Sequence, residues 1–264
     1  MPYLETSGAR VRYTDTGPRP GAPLLLVHGW GGDSTEWQPV AAELAPAHRI
    51  VTLDLRGHGC SSAPPSGYTP YDFAADLVAL LQQLDVPPVI AVGHSMGAQA
   101  VVALATRHPQ LLAGLVALDP AYGADAAELL RIPGEQEQLL AEGSAWAARF
   151  AERAHVSTTP PAVRRHHQQL LAAMDPRVLV AARDAMYLEP GSMGSQTAAE
   201  ATLKALTCPV LTIMTSPDRA AWAQRTLHHP LSRVEVFQGC GHYLHEERPE
   251  ALAQLITNWV RALA

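Results

Sequence analysis

Positive charge and cysteine are both scarce in this sequence. Lysine occurs once, at Lys204, and 19 basic residues face 25 acidic ones, so the formal net charge is −6. No cluster of basic residues resembles a phosphate-binding patch, and nucleic acid is therefore not an expected partner. The three cysteines, Cys60, Cys208 and Cys240, have no metal-ligand spacing and cannot all pair within one chain. We expect no metal, no disulfide framework and no cofactor.

Long hydrophobic runs are also missing. No stretch reaches the roughly 18 uninterrupted apolar residues of a membrane span, and the N-terminus lacks the charged start and apolar run of a secretion signal. The chain is 47% apolar and 17% charged, as in ordinary globular proteins. These features predict a cytoplasmic protein without a membrane partner, and they are compatible with a homo-oligomer.

Short aliphatic runs alternate with longer amphipathic segments along most of the chain. Apolar residues recur with helical spacing from Phe73 to Leu84 and again from Pro249 onward. The short runs have the length and composition of buried parallel strands and occupy residues 24–27, 50–54, 89–92, 115–118, 210–214 and 234–237. This alternation predicts an α/β fold with a mostly parallel sheet and helices on both faces.

The alternation stops between residues 122 and 201. This segment contains helical stretches rich in alanine, leucine, glutamine and arginine, and no convincing strand. We predict a helical insertion, which divides the chain into residues 1–121, 122–201 and 202–264.

The strongest local motif is Gly93-His94-Ser95-Met96-Gly97, which fits G-x-S-x-G between a predicted strand and a predicted helix. Small residues are needed at both ends because the turn is so sharp that the chain passes close to itself. Such a strained turn presents the serine hydroxyl to a pocket, so Ser95 is the candidate nucleophile. The alternative is a tight glycine turn with an incidental serine.

A serine hydroxyl needs a base to accept its proton, and a histidine on a neighbouring loop can supply one. His242 follows the predicted strand at 234–237 and precedes the last helix, a placement that distinguishes it from the other histidines. An oxyanion needs two backbone donors as well. The N–H of Met96 is one candidate, and the N–H of Trp30, in the loop after the first predicted strand, is the other.

Together these segments resemble the α/β-hydrolase superfamily over essentially the whole chain. The resemblance rests on His28-Gly29-Trp30, Asp54-Leu55-Arg56-Gly57-His58-Gly59, Gly93-His94-Ser95-Met96-Gly97 and Gly241-His242. It implies a central sheet of about eight strands, a helical lid inserted after the sixth strand, and the chain order nucleophile, acid, histidine. The fold hosts many reactions, including non-hydrolytic ones. The serine excludes the dehalogenases and epoxide hydrolases that use an aspartate nucleophile.

Two aspartates stand where this superfamily carries its acid. Asp218 follows the predicted strand at 210–214, which is the commoner position, but Thr215 replaces the expected glycine. Ser216-Pro217-Asp218 also fits the first turn of a helix, where a carboxylate is favoured without any catalytic role. Asp119 follows the preceding strand, and its alternative role is a turn before Pro120. We favour Asp119 and keep Asp218 as the alternative acid.

The predicted lid carries large apolar side chains that could line a substrate pocket. Trp146, Met186, Tyr187 and Met193 are the candidate substrate-binding residues, although each could instead pack within the lid. We therefore predict a serine hydrolase that cleaves an ester or lactone of a largely apolar small molecule. A cofactor-free, dioxygenase-like enzyme of the same fold and a small-molecule receptor that retains the triad are the alternatives.

Overall fold

The computed structural model describes residues 2–263. Eight strands within this range form a single sheet. In chain order the strands are β1 (Tyr3–Glu5), β2 (Arg10–Asp15), β3 (Gly21–Val27), β4 (His48–Leu53), β5 (Val89–His94), β6 (Leu112–Leu118), β7 (Val210–Met214) and β8 (Arg233–Val236). Their order across the sheet is β1-β2-β4-β3-β5-β6-β7-β8. β2 runs antiparallel to both of its neighbours, and β4, β3, β5, β6, β7 and β8 are parallel. The predicted mostly parallel sheet of about eight strands is confirmed.

The described residues also form eleven α-helices and three short 3₁₀ helices, the latter at Ser34–Trp37, Pro109–Leu111 and Ala151–Ala154. The α-helices are α1 (Gln38–Leu44), α2 (Pro70–Leu84), α3 (Met96–Arg107), α4 (Ala126–Glu142), α5 (Ser144–Phe150), α6 (Pro161–Ala173), α7 (Pro176–Tyr187), α8 (Gln196–Lys204), α9 (Pro217–Thr226), α10 (Leu244–Glu247) and α11 (Pro249–Arg261). None of these helices combines the length and the apolar character that crossing a bilayer requires.

Five of the α-helices, α4 to α8, lie between β6 and β7 and form a helical insertion (residues 126–204). Within it the structure describes no strand of the sheet. Its last helix ends at Lys204, three residues beyond the boundary expected from the sequence. The division into domains stays a prediction, and its end positions, 1 and 264, lie outside the described residues.

The sheet separates two apolar cores because successive side chains on a strand point to opposite faces. On β3, Leu25 and Val27 belong to the core under α2 and α3, whereas Leu24 and Leu26 belong to the core under α1 and α11. Full burial of each such side chain stabilises the fold by about 1.5–3 kcal/mol. Helices cover both faces of the sheet, so only the ends of the parallel strands are left uncovered. The loops at the carboxyl ends of these strands carry the polar residues described next.

The two N-terminal strands were not expected from the pattern. β1 has only three residues, and β2 reads Arg-Val-Arg-Tyr-Thr-Asp, in which polar and charged residues dominate. Both lie at one edge of the sheet, where solvent covers part of the strand. The apolar runs that identify the central strands are therefore absent from them.

Candidate active site

Ser95 occupies the turn between β5 and α3. Its backbone angles, φ 51° and ψ −114°, lie in a region that residues other than glycine rarely adopt. Its N–H donates to the carbonyl of Leu118 at 3.0 Å, and its own carbonyl accepts from Ala98 and Ala121 at 3.1 Å each. The turn is thus held from both sides, as expected for a position where strain serves a function.

The glycines on either side of Ser95 are required by close approach of the backbone. A Cβ on Gly93 would lie 2.4 Å from the carbonyl oxygen of Gly97, and a Cβ on Gly97 would lie 2.3 Å from that of Val27. Neither backbone atom could move aside without disrupting β3 or α3. The G-x-S-x-G spacing is therefore a steric condition of this turn.

His242 and Asp119 meet in a hydrogen bond beside this turn. Nδ1 of His242 lies 2.6 Å from Oδ2 of Asp119, although 123 positions separate the two residues. Because a carboxylate can only accept, Nδ1 carries the hydrogen, and Nε2 of the neutral ring keeps a free lone pair. The backbone N–H of His242 also donates to the carbonyl of Ala154 at 2.8 Å, so the helical insertion holds the histidine loop.

The second carboxylate oxygen of Asp119 is bound by Thr215. Oδ1 accepts from the Thr215 N–H and from the Thr215 hydroxyl, at 3.2 Å each. Burial alone would raise the pKa of Asp119, but the hydrogen bond and charge of His242, the charge of Arg219 and the Thr215 N–H together lower it. Asp119 is thus an ionised carboxylate with φ 35°, a second strained position in the same site.

Asp218 lies elsewhere. It follows Pro217 on the first turn of α9, is exposed to solvent, and Ser216 caps this helix through its hydroxyl. Within residues 2–263 no hydrogen bond or ion pair joins Asp218 to His242. The structure therefore brings Asp119 to the histidine and leaves Asp218 at a helix start.

Two backbone N–H groups flank Ser95 without a protein acceptor. Met96 is the first residue of α3, and Trp30 follows Gly29, whose Cβ, if present, would lie 3.2 Å from that of Ser95. Within the described residues neither the Trp30 N–H nor the Met96 N–H donates to another protein atom. Free donors beside a serine can stabilise a developing oxyanion.

Ser95, His242 and Asp119 line one cavity of about 480 Å³ between the strand ends and the helical insertion. The described residues include no hydrogen bond between the Ser95 hydroxyl and the His242 ring, a contact that often tightens only when substrate binds. Apolar side chains of Trp30, Leu171 and Met186 form part of the wall. The wall also carries charged side chains, which are those of Glu128, Arg131, Glu135, Arg153, Arg183 and Arg219 in addition to Asp119.

The four residues predicted to bind substrate divide into two pairs. Met186 and Tyr187 line the cavity, whereas Trp146 and Met193 do not. Trp146 is buried in a small core of the insertion, stacks on Phe150 and donates through Nε1 to Gln138 at 2.8 Å. Met193 is buried in the larger core. Packing within the insertion accounts for Trp146, and packing against the core of the sheet accounts for Met193.

Two groups of side chains could hold a cation. Glu36, His94 and His245 are buried behind the Ser95 turn and bring one ligand atom each within 4.8 Å of the others. Burial lowers the pKa of His94 to about 3, so its ring is neutral, and its Nε2 lies 3.0 Å from the carbonyl of His242. The second group, His166, His167 and Glu246, joins α6 to α10. The absence of a metal stays a prediction.

Several residues of the site were missed because their partners are distant in sequence. Thr215 was identified only as a departure from a family pattern. Arg219 donates through Nη2 to the carbonyls of Pro120 and Tyr122, at 2.7 Å each, and so fixes the segment after Asp119. No local motif indicates such a contact, since it joins the first turn of α9 to the loop after β6.

Comparison with known proteins agrees with this architecture. A family model described as the alpha/beta hydrolase family matches residues 24–255. The 2-(acetamidomethylene)succinate hydrolase of Mesorhizobium japonicum is 28% identical over 259 residues, 96% of this chain and 91% of that protein. A thermophilic esterase from Thermogutta terrifontis, solved with malate bound, has a TM-score of 0.85 at 28% identity, covering 100% of this chain and 99% of that one.

The enol-lactonase from Burkholderia xenovorans LB400 has a TM-score of 0.84 at 21% identity and covers 98% of this chain and 100% of its own, a likeness that concerns the fold alone. The family model, by contrast, spans most of the sequence, including the turn at Ser95 and the loop of His242. The chain therefore belongs to the alpha/beta hydrolase family and is an enzyme of that type.

Proposed function

We propose that the protein is a serine hydrolase that cleaves a carboxylic ester or lactone through an acyl-enzyme intermediate. The observation that carries the proposal is the 2.6 Å hydrogen bond between His242 Nδ1 and Asp119 Oδ2, in the same cavity as the strained Ser95 turn. It orients the imidazole with Nε2 free to accept a proton.

The first half of the reaction forms the acyl-enzyme. Ser95 Oγ attacks the substrate carbonyl while its proton passes to His242 Nε2, and the negative charge that develops on the carbonyl oxygen is stabilised by the N–H groups of Trp30 and Met96. The ionised Asp119 stabilises the imidazolium formed at this stage. Collapse of the intermediate breaks the ester bond, and His242 returns the proton to the leaving alcohol.

The second half regenerates the enzyme. Water attacks the acyl group, gives its proton to His242, and a second collapse releases the carboxylic acid and restores the Ser95 hydroxyl. In a lactone the alcohol stays attached to the acyl chain, so ring opening yields one hydroxy acid. The similarity to a protein described as an esterase and to the hydrolase from Mesorhizobium japonicum supports this reaction class.

The test compares wild type with Ser95→Ala on 4-nitrophenyl esters of increasing chain length and on a panel of lactones. We expect hydrolysis by wild type, loss of several orders of magnitude in kcat in the variant, and a covalent adduct on Ser95 with a fluorophosphonate, detected by peptide mass. Residual activity within about tenfold of wild type would refute the nucleophile.

His242→Ala supplies a second test of the same unit. Its loss should match that of Ser95→Ala, and the double variant should be no worse than either single one, because residues that act together are not additive. Tight ligand binding with turnover slower than about one per minute, against ordinary kcat values of 1–10³ per second, would favour a receptor instead.

A further inference from the structure

The charge of the cavity is opposite in sign to the charge of the chain. The whole protein is acidic, with a formal net charge of −6. Four arginines line the cavity, against three carboxylates, one of which is the Asp119 carboxylate paired with His242. Because a cavity with low-dielectric walls concentrates the field of its lining charges, an excess of positive charge there attracts anions.

One carboxylate, that of Glu135, accepts hydrogen bonds from two of these arginines. Oε1 of Glu135 lies 2.8 Å from Nη1 of Arg153, and its Oε2 lies 2.5 Å from Nη2 of Arg183. Arg183 is buried, and burial lowers its pKa, which indicates that this guanidinium lacks solvation. A single glutamate cannot neutralise two guanidinium groups, so one positive charge remains here.

The other two arginines make no hydrogen bond or ion pair with a carboxylate within residues 2–263, although the charge of Arg219 acts on Asp119. Arg131 makes one long hydrogen bond, 3.5 Å from Nη1 to the carbonyl of Ala127. Arg219 donates Nη2 to the carbonyls of Pro120 and Tyr122, and its buried Nε has no acceptor. Carbonyl oxygens orient a guanidinium without cancelling its charge, and a buried donor without an acceptor is costly.

The positions of the two arginines mark the two ends of a path. Arg131, Glu135 and Arg153 line both the cavity and a shallow groove beside α4, so Arg131 stands where the cavity meets this groove. Arg219 stands at the Ser95 end, because the segment that it holds includes Ala121, whose N–H donates to the carbonyl of Ser95 at 3.1 Å. An anion would meet Arg131 on entry and Arg219 beside the triad.

We infer that the natural substrate is an ester or lactone bearing a single carboxylate group, which binds the cavity arginines and above all Arg219, with Arg131 at the entrance. This inference rests on the proposed function. A planar carboxylate matches the fork of a guanidinium, and one negative charge matches the excess of four arginines over three carboxylates. The apolar wall formed by Trp30, Leu171 and Met186 would hold the uncharged part of the molecule.

The experiment uses two esters that differ only in charge, mono-4-nitrophenyl adipate and its methyl ester. For wild type we expect kcat/KM to be about tenfold or more higher for the anionic ester, because hydrogen bonds to charged groups are the stronger ones. Arg219→Gln and Arg131→Gln should each reduce this ratio, and Arg219→Lys should restore part of it, since the charge is kept while the fork is lost.

Arg165→Gln is the matched control. Arg165 is exposed on α6, does not line the cavity, and makes no hydrogen bond or ion pair within the described residues. This variant removes the same charge and should leave the ratio of the two kcat/KM values unchanged. High salt should lower the ratio in wild type more than in Arg219→Gln, because screening acts on the charge that the variant lacks.

Binding to Ser95→Ala separates this inference from the proposed reaction. Titration calorimetry of this variant with both esters measures the same preference without turnover. If wild type hydrolyses neither ester, the proposed function fails, and the calorimetric preference still decides the inference. Equal binding of the two esters, or a ratio that neither arginine variant changes, would overturn the inference even if Ser95-dependent hydrolysis is observed.

Discussion

Thr215 donates both its backbone N–H and its hydroxyl to Oδ1 of Asp119, while His242 donates to Oδ2. The carboxylate is therefore fixed on both oxygens, on the loop after β6, by a residue on the loop after the neighbouring strand β7. Where a glycine would supply only its N–H, the threonine adds a second donor. The threonine is thus consistent with Asp119, on the loop after β6, as the acid, and with Asp218 as an ordinary residue of a helix start.

Thr215→Val tests this relationship. The substitution keeps the β-branched shape and the N–H but removes the hydroxyl, so Asp119 loses one donor and its orientation is less well held. We expect kcat to fall about tenfold with a stability loss of about 1 kcal/mol, measured by ester hydrolysis and thermal unfolding. Thr215→Ser keeps the hydroxyl and is the control, and an equal loss of kcat in both variants would contradict the role of this hydrogen bond.

The choice between the two aspartates gives a second prediction. Asp119→Asn should lower kcat by roughly four orders of magnitude, because the amide can no longer hold the neutral tautomer and stabilise the imidazolium. Asp218→Asn should keep most of the activity, since an exposed first-turn carboxylate contributes about 0.3–1 kcal/mol to stability and nothing to the reaction. Circular dichroism and the thermal midpoint must establish that both variants are folded. The reverse ranking would transfer the role to Asp218.

Local sequence sufficed for the turn at Ser95 because every requirement of that turn lies within five residues. Gly93 and Gly97 are needed because the backbone passes too close to them to leave room for a side chain. The strand before the turn and the helix after it are each recognisable from their own sequence patterns. The central strands were equally predictable, since burial on both faces demands continuous apolar runs. The polar strand β2, next to the edge strand β1, has no such apolar run and was therefore not predicted.

Long-range contacts were the part that sequence could not supply. Asp119 and Asp218 both end up near strand termini, and only the packing of the His242 loop distinguishes them. In the helical insertion, apolar side chains alone do not reveal which face of a helix meets the cavity. Trp146, which was predicted to bind substrate, belongs to a small core of the insertion. Arg183, which no sequence pattern singles out, lines the cavity together with Glu135.

The strain at Ser95 leads to a third prediction, on stability. Backbone angles of this kind cost on the order of 1–3 kcal/mol for a residue with a Cβ, and glycine relieves that cost at the expense of about 0.5–1 kcal/mol in unfolded-state entropy. Ser95→Gly should therefore be inactive yet more stable than Ser95→Ala, which keeps both the Cβ and the strain. Thermal and urea unfolding of the two variants provide the comparison. An alanine variant at least as stable as the glycine variant would indicate that the turn is not strained.

The contact between α6 and α10 is expected to make stability depend on pH. Glu246 receives hydrogen bonds from His166, 3.2 Å from Nδ1, and from His167, whose ring stacks on Tyr243, the residue after His242. Burial would raise the pKa of Glu246, but these two histidines, with the charge of His245 on its own helix, lower it from the ordinary 4.5 to about 2. The insertion is thus attached by titratable groups to α10, the helix that follows His242.

The pKa of His166 shifts in the opposite direction to that of Glu246. Its hydrogen bond with Glu246 raises its pKa above 6.5, against the effect of burial, and the charges of Glu246, Asp33 and Glu36 add to the rise. A histidine with a raised pKa stabilises the fold below 6.5, and this contribution is lost as the pH rises through the higher value. A carboxylate with a lowered pKa stabilises above 4.5, and this is lost as the pH falls toward 2. Both contributions are complete only between about pH 4.5 and 6.5, and each declines gradually outside that window.

Glu246→Gln should therefore lower the thermal midpoint most at about pH 5.5 and less at about pH 9. Loss of hydrogen bonds to a charged group corresponds to about 1.5–3 kcal/mol, or on the order of 5 °C in a protein of this size. Glu43→Gln, at an exposed glutamate of α1 without a partner in the described residues, is the matched control and should shift the midpoint little at either pH. A Glu246→Gln deficit that is equal at both pH values would mean that the carboxylate acts through packing and neutral hydrogen bonds, and not through charged histidines.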